Sequence, residues 1–507
     1  MTTFFSYLTK HKIPSRKTLQ VLLTPPLTWY GFILYGLLAS IVLIAYIFIL
    51  QINNHFLVAE PSRGGTLTEG MIGAPQFINP LLATTETDTS LTKLLFAGLM
   101  RTSDVNGSVV PELAQSYTVS PDGLTYTFTL REKLVWSDHE PLVSDDVAYT
   151  IEKLADSTIN PTGSAYWQNI SVSTPTPNTV SITLPEPRSD FLSRMTIGII
   201  PKHIWGSMLN EAFVTAPTNL APVSSGMYTF RHIRTVNGIP YEIELTRNTR
   251  YALGDTYIDR YRMIFFANQS ALLDALNAGD IDMTLAASST TATALRNTDL
   301  GITPIPSTQT VTLFRNTTEP VLSNASFASV LNRAIDKNTI IATVEDGYGI
   351  SPDSQTTIDV IRELESIGFT YRNGTLEKGG TPVGFSIGVE NDERALKTAH
   401  ELARQLGTMG IIVGIKAFDP GAFQYRLQMN DYQFVLIRKN DIDIPKSYQP
   451  VFILYTKTNP FITKKSIRIP IPSSLPFKTD RYVQALDWHV TVDNVWKPFS
   501  RTISNKQ

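Results

Sequence analysis

The sequence contains no cysteine. Disulfides, thiolate nucleophiles, cysteine-ligated zinc, iron–sulfur clusters and a lipidated N-terminal cysteine are therefore excluded. Histidine is scarce, with seven positions, and none of them forms H-E-x-x-H or another tight metal pair. No G-x-S-x-G elbow, G-x-x-x-x-G-K-[ST] loop or G-x-G-x-x-G turn is present, so the enzyme classes that carry these short motifs gain no support. A catalytic triad is defined by geometry rather than spacing, which leaves an exported peptidase as an alternative class. No catalytic residue, metal ligand or cofactor is assigned.

Charge is also sparse, at 17% of residues, and no basic patch stands out beyond the first twenty positions. Lys10, Lys12, Arg16 and Lys17 precede the first acidic residue, Glu60; the other 39 basic residues face 45 acidic ones. Phosphate neutralisation needs a concentrated basic face, so a nucleic-acid partner is excluded. What the chain does have is 42% hydrophobic and 10% aromatic residues over 507 positions. That is a globular composition with enough length for two or three packed lobes.

Residues 18–59 carry no Lys, Arg, Asp or Glu, and Gly31 to Leu50 reads GFILYGLLASIVLIAYIFIL. Twenty such residues form a helix about 30 Å long, the thickness of a bilayer's hydrocarbon core. Trp29 and Tyr30 stand where an interfacial aromatic anchor belongs, and the basic cluster at 10–17 places the N-terminus on the cytoplasmic side. A cleavable signal peptide is the competing reading, but QINNHFLVAEP offers only Ala59 as a small-residue cleavage signal. The expectation is a retained single-pass anchor at 31–51 in the cell membrane, after a cytoplasmic tail at 1–30. A tether at 52–63 then leads to a large extracytoplasmic domain.

From Gly65 onward helical and strand patterns alternate, the mark of an α/β architecture. In TYTFTL, Tyr126, Phe128 and Leu130 alternate with Thr125, Thr127 and Thr129, a half-buried strand preceded by the turn Pro121-Asp122-Gly123. Ser144-Asp145-Asp146 opens a helix with capping oxygens. The segment Gln269 to Ala278 reads as a helix closed by Gly279, and Asp392 to Met409 as one with Ala395, Ala399, Leu402 and Leu406 on a single stripe. IIVGIKAF and YQFVLI follow as strands.

FAGLMRTSDVNGSVVPELAQSYTVSPDGLTYTFTLREKLVWSDHEPLVSDDVAYTIEKL resembles the signature region of the family 5 extracellular solute-binding proteins, the oligopeptide- and dipeptide-binding components of ABC importers. LPEPRSDFLSRM, IPKHIW, APVSSGMYTF, ALNAGDIDM, ASVLNRAIDKNTI and DYQFVLI continue the same order of landmarks over residues 64–440. The resemblance implies a two-lobed periplasmic-binding-protein-like fold with an inserted subdomain, behind one transmembrane helix. Residues 64–103, 222–306 and 452–507 would form lobe one, 104–221 the insert and 307–451 lobe two. The implied function is to capture a peptide or other small solute between closing lobes and deliver it to an ABC importer permease. The alternative on the same fold is a ligand-binding receptor or envelope protein that does not transport.

The resemblance also implies site residues. Relatives carry a D-Y-P-D-P-like motif after the strand matching YQFVLI, and an acid of that motif pairs with the ligand's α-amino group. Here the text is RKNDIDIPKSYQPVFILY, so Asp441, and second Asp443, match that acid, while Ile442 replaces the aromatic. The bland reading of both is a solvated turn acid. Arg438 suits a ligand carboxylate or, alternatively, one of these acids. Thr84, Thr85, Glu86 and Thr87 match a stretch whose backbone lies along the ligand in relatives. Trp136, Tyr166 and Trp167 are candidate side-chain pockets, with core packing as the alternative. Asp280 and Asp282 match a structural feature of the family and receive no chemistry.

Overall fold

The computed structural model describes residues 29–103, 108–161, 163–285, 294–352, 359–438, 442, 444–470 and 478–496. The chain divides into two compact units, Met1–Ser62 with Val492–Gln507, and Arg63–Thr491. The first unit holds the helix Trp29–Phe56 and a two-stranded ribbon of Leu57–Ser62 with Thr491–Trp496. In that helix every described side chain, at 32–48 and 51, is exposed. Among the described residues no helix is long and apolar enough to cross a membrane.

The second unit is mixed α/β and two-lobed. Its eleven-stranded sheet is shared by both lobes and runs Ile412–Phe418, Gly384–Glu390, Phe434–Ile437, Leu300–Asn316, Tyr448–Lys464, Met283–Leu285, Thr66–Ile72, Arg260–Phe266, Ile239–Arg247, Tyr228–Val236. The short strand Gly349–Ile350 pairs with Tyr448–Lys464 off this path. The two seventeen-residue strands in the middle, Leu300–Asn316 and Tyr448–Lys464, pair antiparallel and belong to both lobes. Separate apolar cores pack on the two ends. One contains Leu67, Tyr261 and Met263, and the other Val311, Leu313, Ile387 and Phe434.

Strand register fixes where the lobes face each other. Phe434–Ile437 runs antiparallel to the far half of Leu300–Asn316, from Arg315 back to Thr312, and Gly384–Glu390 is parallel to it. Their carboxyl ends therefore point towards lobe one. Met283–Leu285 runs from Thr463 back to Phe461, and Thr66–Ile72 and Arg260–Phe266 are parallel to it. Their carboxyl ends point towards lobe two. Both sets of parallel strands thus aim at one boundary, where α/β sheets place their ligand crevices.

The ladder that bridges this boundary is broken. Register jumps from Pro306↔Thr458 to Thr310↔Thr456, and Pro304 stands opposite Pro460. Proline has no N–H to give a ladder, so the two central strands are least firmly paired where they pass between the lobes.

Residues of the expected insert form a second sheet of four strands, Ala114–Val119, Thr125–Leu130, Thr179–Thr183 and Ser171–Thr176. Tyr126, Phe128 and Leu130 are buried, while the alternate Thr125 and Thr127 bring their hydroxyls to Thr183 and Ser181 across the strand pair. The helix Ser144–Ala155 starts where Ser144 predicts, but the cap comes from Asp146, which accepts the Val143 N–H at 2.9 Å. The Ser144 hydroxyl instead donates to the Thr176 carbonyl. This sheet shares its apolar core with lobe one. Gly226, inside the APVSSGMYTF landmark, sits where a Cβ would meet the backbone of Leu94 and Leu95 at 2.6 Å. Only glycine permits that approach to the end of the helix Glu86–Leu95.

Candidate functional site

The lobe-one side of the boundary is built from the carboxyl end of Thr66–Ile72 and the start of the helix Glu86–Leu95. Thr85 caps that helix, accepting the Asp88 N–H at 3.1 Å. Thr87 donates its hydroxyl to the carbonyls of Gly73 and Ile72, at 3.0 and 3.3 Å. Asp88, fully buried, accepts the backbone N–H groups of Gln76 and Phe77. These bonds fasten the segment 73–77 to the helix and leave an open cleft of 480 Å³. Thr85 and Thr87 line it, with Ile72 and the Gly238–Pro240 turn. That turn has positive φ at Asn237 and Gly238, which allows the tight reversal between two long strands. Thr84 is exposed, and Glu86 is half-buried with a carboxylate oxygen 4.0 Å from the Arg481 guanidinium. All four residues of the Thr84–Thr87 segment are thus at this side of the boundary.

The lobe-two side carries a buried charge cluster at the carboxyl ends of its strands. Arg438, the residue after Phe434–Ile437, donates to Glu345 at 2.8 Å, to the Tyr455 hydroxyl at 2.8 Å and to the Thr398 hydroxyl at 3.0 Å. Tyr455 in turn donates to Glu345, and Arg394 reaches the second oxygen of Glu345 at 3.1 Å. Asp392 lies 3.7 Å from the Arg438 guanidinium. Arg438 is thus tied to an acid 93 positions upstream. Its buried guanidinium is already satisfied, so it is a structural centre of lobe two. Asp441 and Asp443 lie outside the described residues.

Lys457 lies opposite the break in the central ladder. Its ammonium donates to the Arg438 carbonyl at 3.0 Å and to the Gln309 side-chain oxygen at 3.3 Å. Burial, followed by the neighbouring Arg438 charge, pulls its pKa down to about 8. Nothing in the local sequence marks Lys457, Gln309 or Glu345. Each matters through partners brought in by the fold.

The aromatic candidates belong to packing. Trp136 is 1% exposed and donates its indole N–H to Asp146. Trp167 is 6% exposed in the same core. The Tyr166 ring has Arg188 and Arg194 stacked on it, at 4.6 and 4.7 Å from its centroid, and its hydroxyl donates to Asp190. Trp136 and Trp167 pack in the core that the four-stranded sheet shares with lobe one, while Tyr166 is half-buried beside its two arginines. Asp282 is structural as expected: it accepts the Thr68 N–H and pairs with Lys464 at 2.6 Å.

His232, Glu242 and Glu244 are the one group of metal-ligating side chains clustered within 4.8 Å among the described residues. Glu242 already pairs with Arg262 at 2.9 Å and Arg234 at 3.5 Å, and Glu244 with Arg231. A cation there would have to displace three guanidinium groups, so the cluster reads as a cross-strand ion ladder.

Residues 108–460 match the sequence profile of the bacterial extracellular solute-binding proteins, family 5 middle region. A putative ABC transporter peptide-binding protein of Brucella ovis is 30% identical over 245 residues, which is 47% of this chain and 45% of that protein. The chain thus spans about half the length of the curated relatives it matches at that level. The oligopeptide-binding protein AppA of Bacillus subtilis is 23% identical over 401 residues, 74% of this chain and 73% of that one. AppA's structure with a nonapeptide superposes with a TM-score of 0.53 at 20% identity, covering 85% of this chain and all of AppA. The unliganded open form of the murein tripeptide-binding protein MppA gives a TM-score of 0.69 at 16% identity, over 86% of this chain and 99% of MppA.

Proposed function

Because the chain belongs to the family 5 extracellular solute-binding proteins of ABC importers, we propose that it captures peptides between its two lobes and hands them to an importer permease. The observation that carries this reading is the convergence of both sets of parallel carboxyl ends on one boundary crossed by a weakened ladder. Such a boundary is a crevice with a hinge at its floor. The names of the Brucella relative and of AppA support peptides as the ligand class. On this reading the Thr84–Thr87 segment offers backbone groups that pair with an extended peptide regardless of its side chains.

The N-terminal helix is proposed as a retained anchor. Its support is the uncharged stretch 18–59, the basic residues before it and the exposed apolar side chains at 32–48. The lobes then stand outside the cytoplasm beside the permease, with the first crossing near the expected 306/307 and the second at the ladder break by Thr456–Thr458, a few residues after the expected 451/452. Protease added to sealed spheroplasts should digest the bulk of the chain and spare the N-terminal tail. Recovery of the mature protein in the soluble exported fraction without residues 1–59 would defeat the anchor.

Asp441 is proposed to meet the ligand's α-amino group. In a closed, partly dehydrated crevice a carboxylate forms a strong charge-assisted hydrogen bond to an ammonium. Asp441→Ala should weaken binding of free peptides by about 2–5 kcal/mol, roughly 30- to 4,000-fold. Asp443→Ala should cost less. Calorimetric titration with free and N-acetylated peptides tests this: acetylation should weaken wild-type binding and make little difference to the Asp441 variant. Equal wild-type affinity for both forms would show that no carboxylate reads the amino terminus.

A further inference from the structure

We infer that lobe one carries an arginine-covered flank that lies against anionic lipid headgroups and so orients the lobes beside the membrane. The flank is one face of the strands Thr66–Ile72, Arg260–Phe266, Ile239–Arg247 and Tyr228–Val236. Their opposite face supplies Leu67, Ile243, Tyr261 and Met263 to the core. Register sets Arg260 beside Thr66 and Thr246, and Arg262 beside Thr68 and Glu244. Across the next strand pair, Glu242 and Glu244 stand beside Arg234 and His232. The register shift between His232 and Phe230 brings Arg231 onto the same face, where it pairs with Glu244.

The charge on this face lies in two layers. The Glu242 and Glu244 side chains are 4% and 9% exposed, whereas those of Arg231, Arg234 and Arg262 are 45%, 52% and 33% exposed. The acids lie at the sheet, and the guanidinium groups cover them. Arg262 and Arg234 share Glu242, at 2.9 and 3.5 Å. Arg260, at the end of the row, is exposed and pairs with neither acid. Four arginines therefore stand over two glutamates, an excess of two positive charges on the face of these four strands. Neighbouring acids do not offset it: Asp282 is matched by Lys464 at 2.6 Å, and Asp255 and Asp259 by Arg63 and Arg247. A guanidinium-rich sheet face suits a layer of phosphates, which arginine binds through two hydrogen bonds at once. Covalent reach favours lipid as their source. The Arg260 N–H donates to the Gly65 carbonyl at 3.3 Å, and the expected tether ends at Arg63, so an anchor would keep this row within a few residues of the bilayer surface.

This inference rests on the reading of residues 31–51 as a retained anchor, and the test separates the two. The chain has no cysteine, so Val236→Cys, exposed at the far end of Tyr228–Val236, provides a single site for a fluorophore. The labelled full-length chain is reconstituted into vesicles of phosphatidylcholine alone, or of phosphatidylcholine and phosphatidylglycerol in equal parts, each with an energy acceptor on the headgroups. Transfer should be stronger in the anionic vesicles. It should fall to the neutral level in about 1 M salt, where charges are screened beyond about 3 Å. Arg234→Gln with Arg260→Gln leaves one arginine over each glutamate. That pair should shift the equilibrium away from the flank-down state about thirtyfold, the effect of two charges at an anionic surface. Arg372→Gln with Lys416→Gln removes the same charge from exposed positions of lobe two and should change nothing. Equal transfer in both lipids overturns the inference and leaves the face to a protein partner, with the anchor intact. A lipid preference that survives the flank substitutions overturns it as well. A chain washed from the neutral vesicles by alkaline carbonate defeats the anchor and this inference together. If the doubly substituted chain does not fold, the lipid and salt dependence of the labelled chain with its arginines in place decides alone.

Discussion

Replacing Arg481 with Met is expected to lower the unfolding free energy by about 3–5 kcal/mol, the cost of breaking a buried ion pair from one side. Arg481 and Glu69 have side-chain exposures of 1% and 0%. The guanidinium donates to one Glu69 oxygen at 3.1 and 2.9 Å. The hydroxyls of Tyr261 and Tyr482 donate to the other at 2.5 and 2.6 Å. Burial, together with the Glu69 charge, holds both phenols well above their ordinary pKa, so they remain donors. Without Arg481 the Glu69 carboxylate stays fully buried with two phenols and no cation. Methionine fills much of the volume, so the loss measures charge rather than a cavity. The double replacement Arg481→Met with Glu69→Gln should recover a large part of the stability, because no charge is then stranded. Denaturant unfolding of the wild type, the single and the double variant reads the difference. A single variant as stable as wild type would mean the pair does not hold the C-terminal segment to the first strand of lobe one.

The second large effect falls on lobe two. Glu345→Ala should cost somewhat less than Arg481→Met, in the lower part of the same range of about 3–5 kcal/mol. Arg438 would keep Tyr455, Thr398 and the carboxylate of Asp392 as partial compensation. The two lobes have separate apolar cores, so the loss should be local. Hydrogen exchange should accelerate in Gly384–Glu390 and Phe434–Ile437 while Thr66–Ile72 and Arg260–Phe266 keep their protection. Equal acceleration in both sets would show that the lobes unfold as one unit and that the cluster is not confined to lobe two.

What could be read from the sequence was local. Alternation marked Thr125–Leu130, the left-handed Gly279 closed the helix Gln269–Ala278, and the Ala395–Leu406 stripe marked Glu393–Thr408. Each pattern is written within one turn or one strand, so neighbours in sequence are enough to reveal it. The prolines were harder. They exclude a long helix from the last hundred residues, yet Pro450 and Pro460 lie inside the strand Tyr448–Lys464. That strand tolerates them because its ladder is irregular beside Pro450 and close to Pro460. The crossings between lobes carry no linker signature for the same reason: each is the middle of one continuous strand. The charge clusters were invisible, since Glu69 and Arg481 are 412 positions apart and Glu345 and Arg438 are 93 apart. A charged residue beside apolar neighbours does not announce its partner. Trp136 and Trp167 were placed by burial alone, which the sequence leaves open between core and pocket.

The central claim, that the crevice holds a peptide and releases it unchanged, is tested most directly by what the protein carries. The full-length chain is purified without added ligand, examined by native mass spectrometry, and its released small molecules are sequenced. Short peptides are expected bound one to each chain, and the same peptides should be recovered at full length after prolonged incubation with the protein. Absence of any peptidic ligand, with no uptake from an added peptide mixture, would contradict it. So would peptides shortened in proportion to the amount of protein, which would mark the crevice as that of a peptidase.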